Sequence, residues 1–182
     1  MTAAEGEGVS APRDRWATAV VAIHWLSAAT LAGLAVAGFV MSSAAEASAT
    51  RLLLSRLHTA GGVSLMLLTV GRVAARRLGR PPPALPLSAR HRRGVEVVHA
   101  LLYTSIFGIG ASGLATGLQS DWPRYLRGDL ARAPALDAMA SRAIHESLVF
   151  ALLGLVALHV GGVALHEARA GGVLRRMLPS QR

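Results

Sequence analysis

The stretch Arg142–Val160, "RAIHESLVFALLGLVALHV", decides how this chain folds. Nearly all of it is apolar, and about 20 such residues are what a helix needs to cross the hydrocarbon of a bilayer. Two histidines, His145 and His159, interrupt the run. At about 1.5 Å of rise per residue, the 14 positions between them span roughly 21 Å, close to four whole turns. Both imidazoles therefore project from nearly the same face, one towards each end of the span. An ionisable side chain in hydrocarbon is costly, so each ring is read as functional and a partner is sought for it. The plain alternative is an interhelical hydrogen bond.

Composition agrees with a membrane setting. Of the 182 residues, 52% are hydrophobic and 16% charged, with a mean hydropathy of +0.43. Three more windows reach spanning length, at about 16–41, 57–75 and 95–118, and the fourth extends over 142–167. The expected fold class is all-α, an integral membrane four-helix bundle over residues 15–179. A disordered tail is expected at 1–14 and a short tail at 180–182. The first window is too long for the apolar core of a cleavable signal and is followed by no small-residue cleavage site. With no cysteine in the chain, disulfides, iron–sulfur clusters and covalent haem attachment are excluded. The net charge of +9 does not predict nucleic-acid binding, because no soluble module carries it.

Arginine placement sets the orientation. Thirteen arginines (13, 15, 72, 76, 77, 80, 90, 92, 93, 169, 175, 176 and 182) fall on the side of the termini, and six (51, 56, 124, 127, 132 and 142) on the other. The positive-inside rule then puts both termini and the Pro-rich connection "RRLGRPPPALPLSARHRRG", Arg76–Gly94, in the cytoplasm. Ser120–Ser141 becomes an outer loop, with room for a short interfacial helix.

Depth then pairs the histidines. His24 lies two turns into the first span from the cytoplasmic side, matching His159, and His58 opens the second span at the outer side, matching His145. Two imidazoles from facing helices, without thiolate or carboxylate, suit axial ligation of haem, a flat apolar group that a bundle core can bury. Gly61, Gly62, Gly161, Gly162 and Ala28 are expected to let a porphyrin approach the backbone. His99, at the cytoplasmic level of the third span, competes for the inner pair, and His91 is read as solvated in the Arg-rich loop. His166, seven residues past His159, is either an interfacial histidine or a proton-handling group beside a quinone. Arg72 repeats the 14-residue offset from His58. It is either a snorkelling arginine or a partner for a haem propionate or quinone oxygen.

These residues resemble the bacterial cytochrome b561 family, related to the di-haem b subunits of some hydrogenases and formate dehydrogenases. The similar stretches are "AIHWLSA", "LHTAGGVSLMLLTVGRVAARR", "VHALLYTSIFGIGASG", "HESLVFALLGLVALHVGGVALH" and the closing "VLRRMLP". The resemblance implies a four-helix membrane bundle with two haem b groups, held by His24 with His159 and by His58 with His145. It also implies a quinone near the cytoplasmic end, at His166. Where the family often has a Pro-containing stretch in the third span, this chain reads "GIGASG", Gly108–Gly113.

The expected function is transmembrane electron transfer between two haems and the quinone pool, ubiquinone or menaquinone, in the bacterial inner membrane. An oxidoreductase activity that oxidises superoxide at the outer face is one form of it. Expected partners are membrane lipid, quinone and an electron donor, either superoxide or a redox protein subunit, with a homodimer as the candidate assembly. Two rivals stand beside it: the membrane-anchor subunit of a hydrogenase or dehydrogenase complex, and a His-based metal transporter. The transporter would normally carry carboxylates within its spans, whereas Glu96 and Glu146 sit at the edges.

Overall fold

The structure, a computed structural model, describes residues 14–178. Apart from Asp14, the expected tail at 1–14 lies outside the described residues, as does the tail at 180–182. Six helices follow in order: α1 Thr18–Ser43, α2 Ala49–Leu78, α3 Ala89–Leu118, α4 Trp122–Arg127, α5 Ala140–Arg169 and α6 Val173–Arg176. The chain is 76% helical among the described residues, which include no strand. The fold is the expected all-α four-helix bundle, and α1, α2, α3 and α5 are each long and apolar enough to cross a membrane.

Local chemistry sets the ends. Ser48 Oγ accepts from the Arg51 N–H at 3.1 Å to cap α2, and Ser88 Oγ accepts from the His91 N–H at 3.3 Å to cap α3. Such caps satisfy amide donors left over in a first helical turn. The Pro81–Pro83 run lies in the non-helical connection before Ser88. The second and third helices begin earlier than the apolar windows at 57 and 95. Hydropathy marks where a helix enters hydrocarbon, whereas hydrogen bonding continues into the polar zone. His91 is consequently helical, in the first turn of α3, rather than in a loop.

The bundle is built as two hairpin-like pairs. Helix α1 packs closely on α2, α3 packs closely on α5, and α2 meets α3 along a smaller seam. At that seam Gly110 of α3 lies against Met66 of α2, so closely that a Cβ at position 110 would overlap the thioether. No Cα of α5 comes within 8 Å of α1 or α2.

Connections tie the pairs together at both ends. On the outer side, the Trp122 Nε1–H donates to Thr59 Oγ1 at 3.2 Å and the Arg56 Nε–H donates to the Leu126 carbonyl at 2.7 Å. The Ala133 N–H donates to the Glu46 carbonyl at 3.1 Å. Beneath them Tyr125 is 1% exposed. On the inner side, the Trp25 Nε1–H donates to the Met177 carbonyl at 2.6 Å, and Arg176 Nη1 donates to the Pro83 carbonyl at 2.6 Å. Glu167 sets this turn by accepting from the backbone N–H groups of Gly172, Val173 and Leu174 at 3.2, 2.9 and 3.0 Å. The outer-facing helix surfaces carry exposed Leu, Val and Phe, among them Phe39, Leu67, Phe150 and Leu158. That is how a lipid-facing surface satisfies apolar side chains.

Candidate haem-binding site

Helix α5 presents two rings, and each meets a ring from the other helix pair. His145 faces His58 of α2 with centroids 6.2 Å apart and planes at 60°. His159 faces His24 of α1 at 6.4 Å and 78°. Both depth pairings read from the sequence are thus brought together. Each crosses between helices whose backbones stay apart.

Metal–imidazole bonds of about 2 Å, with roughly 1 Å from nitrogen to ring centre, set two trans ligands' centroids roughly 6 Å apart. The two pairs match that spacing. Their ring planes, turned by 60° and 78°, agree with two rings rotated about a shared axis. Among the described residues no three His, Asp or Glu side chains converge to hold a metal ion. The donor set is two neutral imidazoles at each level, which suits an iron whose remaining ligands come from a porphyrin.

The outer pair is the better anchored. The His145 Nδ1–H donates to the Ile109 carbonyl of α3 at 2.9 Å, leaving Nε2 free, as in metal-ligating histidines whose second nitrogen is held by a carbonyl. His58 Nδ1 is buried without a formed hydrogen bond, and the Leu34 carbonyl of α1 lies beside the ring. Gly38 and Gly113 stand directly against the two rings. Sequence reasoning singled out other small residues. Gly61 is instead taken up by α1, where a Cβ would lie 3.0 Å from Leu34, and Gly62, Gly161 and Gly162 have nothing within 4 Å.

The inner level is more crowded with charge. His99 lies 5.1 Å from His159, but both belong to the closely packed α3–α5 pair, and the His99 Nδ1–H donates to the Val95 carbonyl of its own helix at 2.8 Å. That contact is a packing contact within one helix pair. Arg72 is only 8% exposed and stands near His24 and His159. Its Nε–H donates to Tyr103 Oη at 3.2 Å, and Arg76 Nη1 donates to the same oxygen at 3.3 Å. Arg76 also lies over the Trp16 ring at 5.0 Å. Neither guanidinium forms an ion pair with a described carboxylate. Tyr103 was not legible as a site residue, because a lone tyrosine in an apolar run carries no partner information.

His166 is half-buried and faces exposed His91 at 6.1 Å, away from the paired rings. No sequence signal joined these two, since His91 was read as loop.

A family model described as prokaryotic cytochrome b561 matches residues 15–180. The chain belongs to the prokaryotic cytochrome b561 family. It is also 30% identical to cytochrome b561 homolog 2 of Escherichia coli (strain K12) over 174 residues, 91% of this chain and 92% of that protein. Membership of the cytochrome b561 family implies haem b binding and electron transfer by a multi-pass membrane protein. Several family-like residues now have physical tasks: Trp25 of "AIHWLSA" and Met177 of "VLRRMLP" are joined to one another across the cytoplasmic end.

Proposed function

We propose that this chain is a transmembrane di-haem b electron carrier of the bacterial inner membrane that exchanges electrons with the quinone pool. His58 and His145 are the axial ligands of an outer haem, and His24 and His159 those of an inner haem. One observation carries the reading: a single helix supplies one imidazole at each of two depths, and each meets a ring from the opposite helix pair at 6.2 or 6.4 Å. Haem b supplies one-electron carriage when bound. The chain's own task is to hold both imidazoles of each pair neutral and aimed, and to surround them with apolar helix. The arginine distribution supports cytoplasmic termini, with His24 and His159 on that side.

Arg72 and Tyr103 form an anchoring point at the inner level for an anionic haem propionate or a quinone oxygen. Two guanidiniums sharing one hydroxyl without a carboxylate favour an added acceptor. His166, nearer the cytoplasm, handles the proton that accompanies quinone reduction or quinol oxidation. At the outer face the donor delivers one electron at a time, superoxide or a reduced protein subunit being the two candidates. Four of the six outer arginines are ion-paired: Arg124 with Asp121, Arg127 with Asp129, Arg132 with Glu46, and Arg142 with Asp137 and Glu146. Positive steering of an anion is therefore modest.

The test is a pyridine haemochrome assay on detergent-solubilised protein, expected to give two haem b per chain, followed by reduction of the bound haem with quinol. One haem per chain would overturn the di-haem assignment, and none would overturn the whole reading.

A further inference from the structure

We propose that Gly38 and Gly113 are positioning residues for the outer haem, each seating one axial histidine against a backbone carbonyl of the neighbouring helix. The proposal rests on the assignment of His58 and His145 as that haem's ligands. A Cβ at Gly113 would lie 3.1 Å from His145 Nδ1 and 3.2 Å from its Cε1, and a Cβ at Gly38 would lie 3.4 Å from His58 Cε1 and 3.7 Å from its Nδ1. The same ring edge faces glycine in both cases. The carbonyl beside each ring belongs to the residue four places before that glycine, Ile109 before Gly113 and Leu34 before Gly38.

A helical carbonyl at position i−4 already accepts the N–H of residue i, yet it has a second lone pair. A side chain at i would shield that lone pair, and glycine leaves it open to an outside donor. The arrangement occurs twice, once in the α1–α2 pair and once in the α3–α5 pair, between helices of unrelated sequence. Its effect is to direct Nδ1 to the neighbouring helix and leave Nε2 for the iron. The inner rings have no glycine of this kind against them. The seat beneath His145 is formed within "GIGASG", Gly108–Gly113.

The two seats differ in tightness, which gives the proposal a graded signature. G113A brings a methyl inside ordinary contact distance of the ring, whereas G38A reaches only van der Waals contact. The experiment uses purified wild type, G113A, G38A and, as a control, G154A, a glycine of α5 with nothing within 4 Å. Haem content, redox titration and low-temperature EPR are measured for each. G113A is expected to shift the midpoint potential and EPR signal of the outer haem, or to lose that haem. G38A should do the same to a smaller degree, with the inner haem unchanged in both and G154A matching wild type. Should G113A fail to accumulate, G38A carries the test. Outer-haem potentials and spectra identical to wild type in every glycine variant that accumulates would overturn the proposal, as would equal changes in both haems or in G154A. An H145A arm separates this from the ligand assignment: if H145A retains both haems, that assignment fails, whatever the glycines do.

Discussion

At His145 a substitution by Ala removes a ring whose far nitrogen is held by Ile109, and at His58 it removes the ring opposite. Each variant is expected to keep one haem of two, and redox titration should show the same component missing from both. H24A and H159A should lose the other component. H99A should keep two haems, because its ring is bonded to Val95 of its own helix. Loss of a haem from H99A with retention in H24A would reverse the inner assignment. Tyr103 offers a separate test. Y103F deprives Arg72 and Arg76 of their shared acceptor, and a buried donor left unsatisfied costs about 1–3 kcal/mol. Thermal unfolding of the solubilised variant should shift downward accordingly, and an unchanged midpoint would show that the guanidiniums find other partners.

Among the elements, α5 carries the strictest requirement, because it must present two rings on one face. Inserting a single Ala after Leu152 turns everything beyond it by about 100°. The variant is expected to hold one haem in place of two, read by haemochrome assay, because only one level can keep its register. This periodicity was legible from the sequence, since spacing within one helix is fixed by helical geometry alone. Depth matching found the partners for the same reason: span order and orientation fix the level of His24 and His58. Two things were not legible. Helix ends beyond the apolar windows escaped, because the first turns of α2 and α3 are polar and held by Ser48 and Ser88. The glycines that matter escaped as well. Which face of α1 or α3 meets a given ring depends on interhelical rotation, and Gly61 and Gly113 look alike until the neighbours Leu34 and His145 are known.

For the molecule as a whole, the two tight helix pairs are joined by three side-chain and backbone contacts at the outer loop and by the Trp25–Met177 and Arg176–Pro83 bonds at the other end. If the arginine-rich end is cytoplasmic, a C-terminal fluorescent protein fusion should light up in the cytoplasm and an alkaline phosphatase fused there should stay inactive, with the reverse for fusions near Asp129. Both ring pairs draw their second member from α5, the last of the four long helices to leave the ribosome. No earlier portion of the chain contains a complete pair at either depth. Cofactor capture therefore waits until synthesis is nearly finished, and a product truncated before Ala140 would enter the lipid with three helices and no means of holding iron.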